Sequence, residues 1–230
     1  MLLYQQIKQY ITALIDDKEC DVKLPSERQL LEQFNSSRIT VREALFRLET
    51  EGLIYRQNRK GWFVSPARLR WNPIKKANYY QLAEEQGFIP QTRLLRIQDT
   101  VAPKVVCRAF EQDATDACWE VFRVRSLDGR PVMLEEIFCQ KQAFPNLHQK
   151  AHEGSITVLF SQEYNITISS EQSSITVTAL PDDKAELLSL NAGAPCLKII
   201  RQRFCQQNKL IDYNIEYWVH GAIEIEVKSH

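Results

Sequence analysis

The chain has 230 residues, a hydrophobic content of 44%, a charged content of 25% and a formal net charge of zero, which suits one large globular core or two modest ones. No apolar run reaches the length of a membrane span, and Gln5, Gln6, Lys8 and Gln9 interrupt the first apolar stretch in a way no signal peptide shows. The six cysteines, Cys20, Cys107, Cys118, Cys139, Cys196 and Cys205, are scattered without a Cys-x-x-Cys pair, so a cytoplasmic protein with no membrane partner is expected.

Residues 2 to 16 predict a helix, because Leu3, Ile7, Tyr10, Ile11, Leu14 and Ile15 share one face. Ser26 is an N-cap with Gln29 three residues on, a capping box over a short helix ending near Phe34. Asn35 breaks that pattern, and Ser36 or Ser37 caps a third helix whose Val41, Ala44, Leu45 and Leu48 form one apolar stripe. Gly52 stands where the chain must leave that helix. The runs "LIY" and "WFV", joined by the polar "RQNRKG", predict a hairpin. Three helices and a two-stranded ribbon over residues 1 to 66 make the winged helix-turn-helix plan.

Charge is unevenly spread. Residues 36 to 70 hold eight Lys/Arg against three acids, whereas residues 71 to 230 hold 17 against 20. A basic module joined to a mildly acidic remainder points to an anionic partner for the first part. A helix that reads duplex DNA presents its first turn to the major groove, where arginine bonds guanine and backbone amides meet phosphate. Arg38 and Thr40 lie in such a turn and Arg42 one turn on. Arg28, at the start of the preceding helix, and Arg59 and Lys60, at the ribbon tip, are placed to hold phosphate. The plainer alternative is that Arg38 and Arg42 pair with Glu43 or other surface acids.

"SPARLRWNPIKKA" has two prolines, many basic residues and no periodicity, so residues 67 to 76 are expected to be a linker. From residue 77 to 230 the character changes. A helix from Asn78 to Gln86 closes at Gly87, and strand-like runs follow: "TRLLRIQDT", "CWEVFRVRSL", "PVMLEEIFC", "ITISSEQSSITVTAL", "CLKIIRQRFC" and "LIDYNIEYWV". Hairpin signals at "DGR" and "QQNK", with short helices near "DKAELLSL" and before Trp119, predict an α+β domain built on a largely antiparallel sheet.

Alternation puts Arg123 and Arg125 on one strand face, with Phe122 and Val124 on the other. Two neighbouring arginines repel unless an anion or a carboxylate neutralises them. A three-residue loop from Asp128 to Arg130 sets Glu135 opposite Arg123, whereas a two-residue loop sets Leu134 there. A small anionic effector is one partner for this pair; an internal salt-bridge network with Glu120, Glu135 or Glu136 is the other. His148 and His152 have metal-ligand spacing on a helix but no third ligand, and a surface turn is expected. The cysteines lack a nucleophile's histidine motif. No catalytic residue, metal or cofactor is expected, and an enzyme acting on a small anionic substrate in the sheet domain is the alternative of another class.

The stretch "LPSERQLLEQFNSSRITVREALFRLETEGLIYRQNRKGWFV" resembles the DNA-binding domain of the GntR family of bacterial transcription regulators, matching it at Pro25, Ser26, Glu27 and Arg28, at Ser37, Arg38, Thr40, Val41 and Arg42, and at Leu48, Gly52 and Leu53. The resemblance implies DNA contacts through Arg28, Ser37, Arg38, Thr40 and Arg42, and a wing contact near Gly61. The wing departs from the family's Gly-x-Gly-Thr-Phe-Val, since Arg59 and Trp62 replace the first glycine and the threonine. Residues 77 to 228 are similar to the UTRA effector domain of the HutC-type branch, whose fold is like chorismate lyase; Arg123, Arg125, Asp128, Gly129, Pro131, Glu135, Gly154 and Ser155 carry the likeness.

That second resemblance implies a pocket lined by Arg123, Arg125, Glu135 and Ser155, by Asn78 and Tyr79 at a helix N-terminus, and by Glu216 or Tyr217 from a late strand. The family's tyrosine after Gly-Ser is absent, and Thr157 stands there instead. The closing "IEYWVHGAIEIEV" is most like regulators of phosphonate use. Together the resemblances imply a homodimeric repressor of a catabolic or uptake operon on palindromic double-stranded DNA. A small anion would release it, with a phosphonate such as 2-aminoethylphosphonate favoured over a phosphosugar; an activator is the alternative within regulation.

Overall fold

The computed structural model describes all residues except 17–21, 58–59, 76–77, 112–116, 151–153 and 228–230. Helices α1 (Leu3–Asp16), α2 (Glu27–Phe34) and α3 (Arg38–Thr50) precede a hairpin of β1 (Ile54–Gln57) and β2 (Gly61–Val64). Their apolar faces meet in one core of Ile7, Ile11, Leu30, Val41, Ala44, Leu45, Leu48, Ile54, Trp62 and Val64. Local chemistry sets the boundaries. The Ser26 hydroxyl accepts from the Gln29 amide and the Gln29 side chain accepts from the Ser26 amide, Asn35 turns left-handed after α2 (φ 45°), and Ser37 caps α3 through the Thr40 amide. Gly52 leaves α3 at φ +74°, where an added Cβ would lie 2.4 Å from Arg68 Nη2.

The remainder is built on β4 (Pro90–Val101), β5 (Ala117–Leu127), β6 (Arg130–Gln140), β7 (Ile168–Ala179), β8 (Pro195–Cys205) and β9 (Leu210–Val219). These six strands form a sheet in the order β4-β5-β6-β9-β8-β7, with every neighbouring pair antiparallel. Two strands outside it, β3 (Leu69–Trp71) and β10 (Ile223–Ile225), pair in parallel. All ten residues of β9 are buried, as expected of a central strand covered on both faces. One face packs Phe122, Val124, Leu134, Phe138, Tyr213, Ile215 and Tyr217 against Val106, Cys107, Phe110 and Leu188. On the other, Trp119, Val121, Ile137 and Cys139 meet Phe144, Leu147, Ile156, Leu159 and Phe160.

One expectation is corrected and one open choice is decided. Residues 67 to 76 are not a free spacer: Leu69 and Trp71 are buried in the second core, and Gln86 bonds both the amide and the carbonyl of Arg70. Arg70 between them, in a stretch with two prolines and no periodicity, hid a strand of only three residues. The β5–β6 loop has two residues, since Leu127 pairs with Arg130, and Asp128 and Gly129 both take positive φ. An irregularity between Arg125 and Ser126 then shifts the ladder, so Glu135 still faces Arg123. The expected pair forms by a turn and a bulge rather than by a longer loop.

Candidate nucleic-acid interface and effector pocket

The first turn of α3 projects from the three-helix core. Arg38 is exposed, and among the described residues no ion pair to it is formed. Arg42 is exposed too and is steered by Glu27, with Nε 3.0 Å from its carboxylate, while Glu43 pairs with Arg47 at 2.9 Å. Arg28 is 86% exposed and pairs with Glu32 at 3.3 Å. Ser37 and Thr40 cap the turn, their hydroxyls 2.9 Å apart. Lys60 is exposed beside Gly61, which takes φ +111° at the ribbon tip; Arg59 lies outside the described residues. Trp62 is a core residue, 7% exposed, so the indole that replaces the family's threonine points inward.

The second site is a cavity of about 440 Å³ between the sheet and two helices, α4 (Tyr79–Glu84) and one spanning Ile156–Tyr164. Sheet residues Arg125, Glu135, Arg201, Arg203 and Glu216 face it, with Asn78, Tyr79, Ser155 and Thr157 from the helices. Glu135 is the hub. Its Oε2 accepts from Arg123 Nε at 3.1 Å, Arg123 Nη2 at 2.6 Å and Arg125 Nε at 3.0 Å. Burial pushes the Glu135 carboxyl up, but the two guanidiniums prevail and hold it well below the usual carboxylate range. The Tyr79 ring lies 4.6 Å from the Arg125 guanidinium, and its hydroxyl donates to the Ser126 carbonyl at 2.8 Å.

Placement corrects two expectations, Arg123 and Tyr217, and adds a second role to Asn78. Arg123 is fully buried and does not line the cavity; it donates to the Gly154 carbonyl at 3.0 Å and so ties the sheet to the loop before the Ile156 helix. Burial, partly offset by Glu135, lowers its guanidinium to about 10. Tyr217 is on the opposite face, its ring 5.3 Å from the Lys184 ammonium and 5.7 Å from that of Lys198, because strand alternation allows Glu216 and Trp218, but not Tyr217, to face the cavity. Asn78 lines the cavity, but its side chain caps α4 through the Gln81 amide, leaving less of that end open to an anion. The Ile156 helix is different. Ser155 makes no side-chain cap; its hydroxyl meets that of Thr157 at 2.9 Å instead, and both residues line the cavity at the start of this helix.

The salt-bridge alternative holds in part. Glu135 neutralises the arginine pair, while Glu120 is taken by Arg96 at 2.9 Å and Glu136 by Lys184 at 3.0 Å. Sequence reasoning did not point to Arg201, which bonds Glu216 and Glu171 at 3.0 Å each, or to Arg203, which bonds Asp212 at 2.8 Å. Their signal was the alternation in "IIRQRF" and "IDYNIEYW", the same signal that marked Arg123 and Arg125. His148 lies against Trp119, ring centroids 5.1 Å apart, and His152 is outside the described residues. Among the described residues no group of three metal-ligating side chains forms and no helix is long and apolar enough to cross a membrane.

A winged helix with exposed arginines on its third helix, joined to an α+β domain whose cavity is lined in part by charged side chains, has the make-up of a helix-turn-helix transcription regulator. The sequence matches the UTRA domain family over residues 85–224 and the family described as bacterial regulatory proteins, gntR family, over residues 3–64. The chain belongs to the GntR family and carries a UTRA domain, the pairing expected of the HutC-type branch. It is 29% identical over 212 residues to the HTH-type transcriptional regulator YihL of Escherichia coli strain K12, covering 88% of this chain and 86% of that one. It is 27% identical over 213 residues to the HTH-type transcriptional repressor NagR of Bacillus subtilis strain 168, covering 92% and 88%. The crystal structure of PhnF from Mycobacterium smegmatis shares the fold, with a TM-score of 0.68 at 23% identity over 97% of this chain and 99% of that one.

Proposed function

We propose that the chain is a cytoplasmic, homodimeric repressor of a catabolic or uptake operon, in which two copies set α3 into successive major grooves of a palindromic operator. A small anionic effector in the sheet-domain pocket lowers operator affinity by binding one of two domain arrangements better than the other. The observation that carries the reading is the union, in one chain, of exposed Arg38 and Arg42 with a cavity whose own hairpin reaches the wing: Arg130 lies over the Tyr55 ring at 4.1 Å. The naming of NagR as a repressor supports the sign.

The helix start at Ser155 and Thr157, with Arg125 facing the same cavity, suits the anionic group, whether phosphonate or phosphate. A phosphonate such as 2-aminoethylphosphonate also finds carboxylates for its ammonium in Glu171 and Glu216. The test is a thermal-shift screen of phosphonates, phosphosugars and small carboxylates, followed by operator binding with and without each hit. We expect a compound that raises the melting temperature and loosens DNA, with Arg125→Ala abolishing both effects. An Arg125→Ala protein with an intact effector response would overturn the pocket assignment.

A further inference from the structure

The apolar stripe of α3, made of Val41, Ala44, Leu45 and Leu48, is fully buried in the winged-helix core, yet the same helix leaves Ile39 80% exposed. Among the described residues Ile39 belongs to no buried cluster, so folding does not account for it. Its place in the helix is specific. It is the second residue of α3, between Arg38 and Thr40, in a turn fixed by the Ser37 hydroxyl, which accepts from the Thr40 amide at 3.2 Å. Arg42 follows three residues on, on the same helix face and also exposed. Phe46, 61% exposed, continues that face but stands ~10 Å further along the axis, away from the end that a recognition helix brings to the base edges.

The two guanidiniums beside Ile39 select an anionic occupant for this turn, and duplex DNA offers an anion with one apolar feature. In the major groove thymine alone presents an apolar group, its C5-methyl. Adenine, guanine and cytosine present donors and acceptors that a hydrocarbon side chain strips of water without replacing. A β-branched side chain in a helix is held in one χ1 rotamer, so Ile39 presents its methyl groups with little entropy left to lose on binding. Resting on the operator-binding reading above, we propose that Ile39 is a specificity-determining residue that packs on the methyl group of a thymine next to the bases read by Arg38 and Arg42. Arginine selects guanine by hydrogen bonds, and Ile39 adds a purely apolar choice at a neighbouring base pair.

The experiment selects duplexes from a random-sequence pool with the full chain, then replaces each thymine of the selected site in turn by deoxyuridine, which removes the methyl group and keeps the base pairing. Wild type should lose about fourfold in affinity at one thymine or its symmetry mate, the worth of one buried methyl group. Ile39→Ala should bind the thymine and deoxyuridine duplexes equally, with the melting temperature of wild type, since the residue it shortens is exposed. Selected sites that share no thymine, deoxyuridine tolerated by wild type at every position, or a penalty that persists in Ile39→Ala would each overturn the role of Ile39 while leaving DNA recognition standing. A pool from which no sequence is enriched would overturn the operator-binding reading and the thymine contact with it.

Discussion

Arg123 has no exposed surface and divides its guanidinium between Glu135 and the Gly154 carbonyl, so its contribution is to fix other groups rather than to meet a ligand. Arg123→Met leaves Glu135 with Arg125 alone and should cost about 3–5 kcal/mol of stability, read as a lower urea midpoint. At the other end of the molecule, Arg38→Ala and Arg42→Ala should each weaken operator binding by about 1–3 kcal/mol and relax base preference. Arg28→Ala should instead weaken all duplexes alike and reduce the salt slope by about one. Fluorescence anisotropy across a salt series separates the two behaviours. His220 is a third case. Burial, aided by the Arg68 charge, lowers its imidazole below the ordinary 6.5. Folding therefore expels a proton between 6.5 and the lowered native value, so stability is complete above 6.5 and declines as pH falls through that window. Melting curves from about pH 7.5 to 5 should show the decline, and His220→Gln should flatten it.

Among the elements, the β5–β6 hairpin does two things at once. Its middle holds Arg123, Arg125 and Glu135, and its tip lays Arg130 on Tyr55 of β1, while the Asp128 carboxylate accepts from the Ile89 amide at 2.8 Å. A Tyr55→Ala protein should bind operator and effector separately but lose about fivefold or more of the effector's influence on DNA affinity, measured by titrating each ligand in the presence of the other. The winged helix was readable from sequence because its caps and stripes are local: Ser26 with Gln29, Ser37 with Thr40, Val41 with Leu48. The pocket was half readable. Alternation within one strand revealed Arg123 and Arg125, but which strands lie side by side is not a local property, so Glu216 entered only with Tyr217 as its rival. The Ile156–Tyr164 helix escaped entirely, because Ile156, Thr157 and Val158 are β-branched and favour strand, while Ile156, Leu159 and Phe160 pack as a helical face.

In the whole molecule, the two domains meet along a seam. The Arg68 guanidinium donates to the Glu51 carbonyl at 2.9 Å, and the Cα of Gly52 lies 3.4 Å from where a Cβ at Gly221 would stand. Gly52→Ala forces a side chain into a left-handed backbone beside Arg68 and should destabilise by about 1–3 kcal/mol, seen as a lower melting temperature. Gly221→Ala meets only ordinary contact distances and should fold normally. The difference gives the seam a mechanical meaning. Two backbones that touch at glycines have no Cβ to interlock, so a change of angle between the domains would turn about Gly52 against Gly221. Arg130 on Tyr55 would then work at a distance from that point, as the long arm of a lever whose load is the recognition helix.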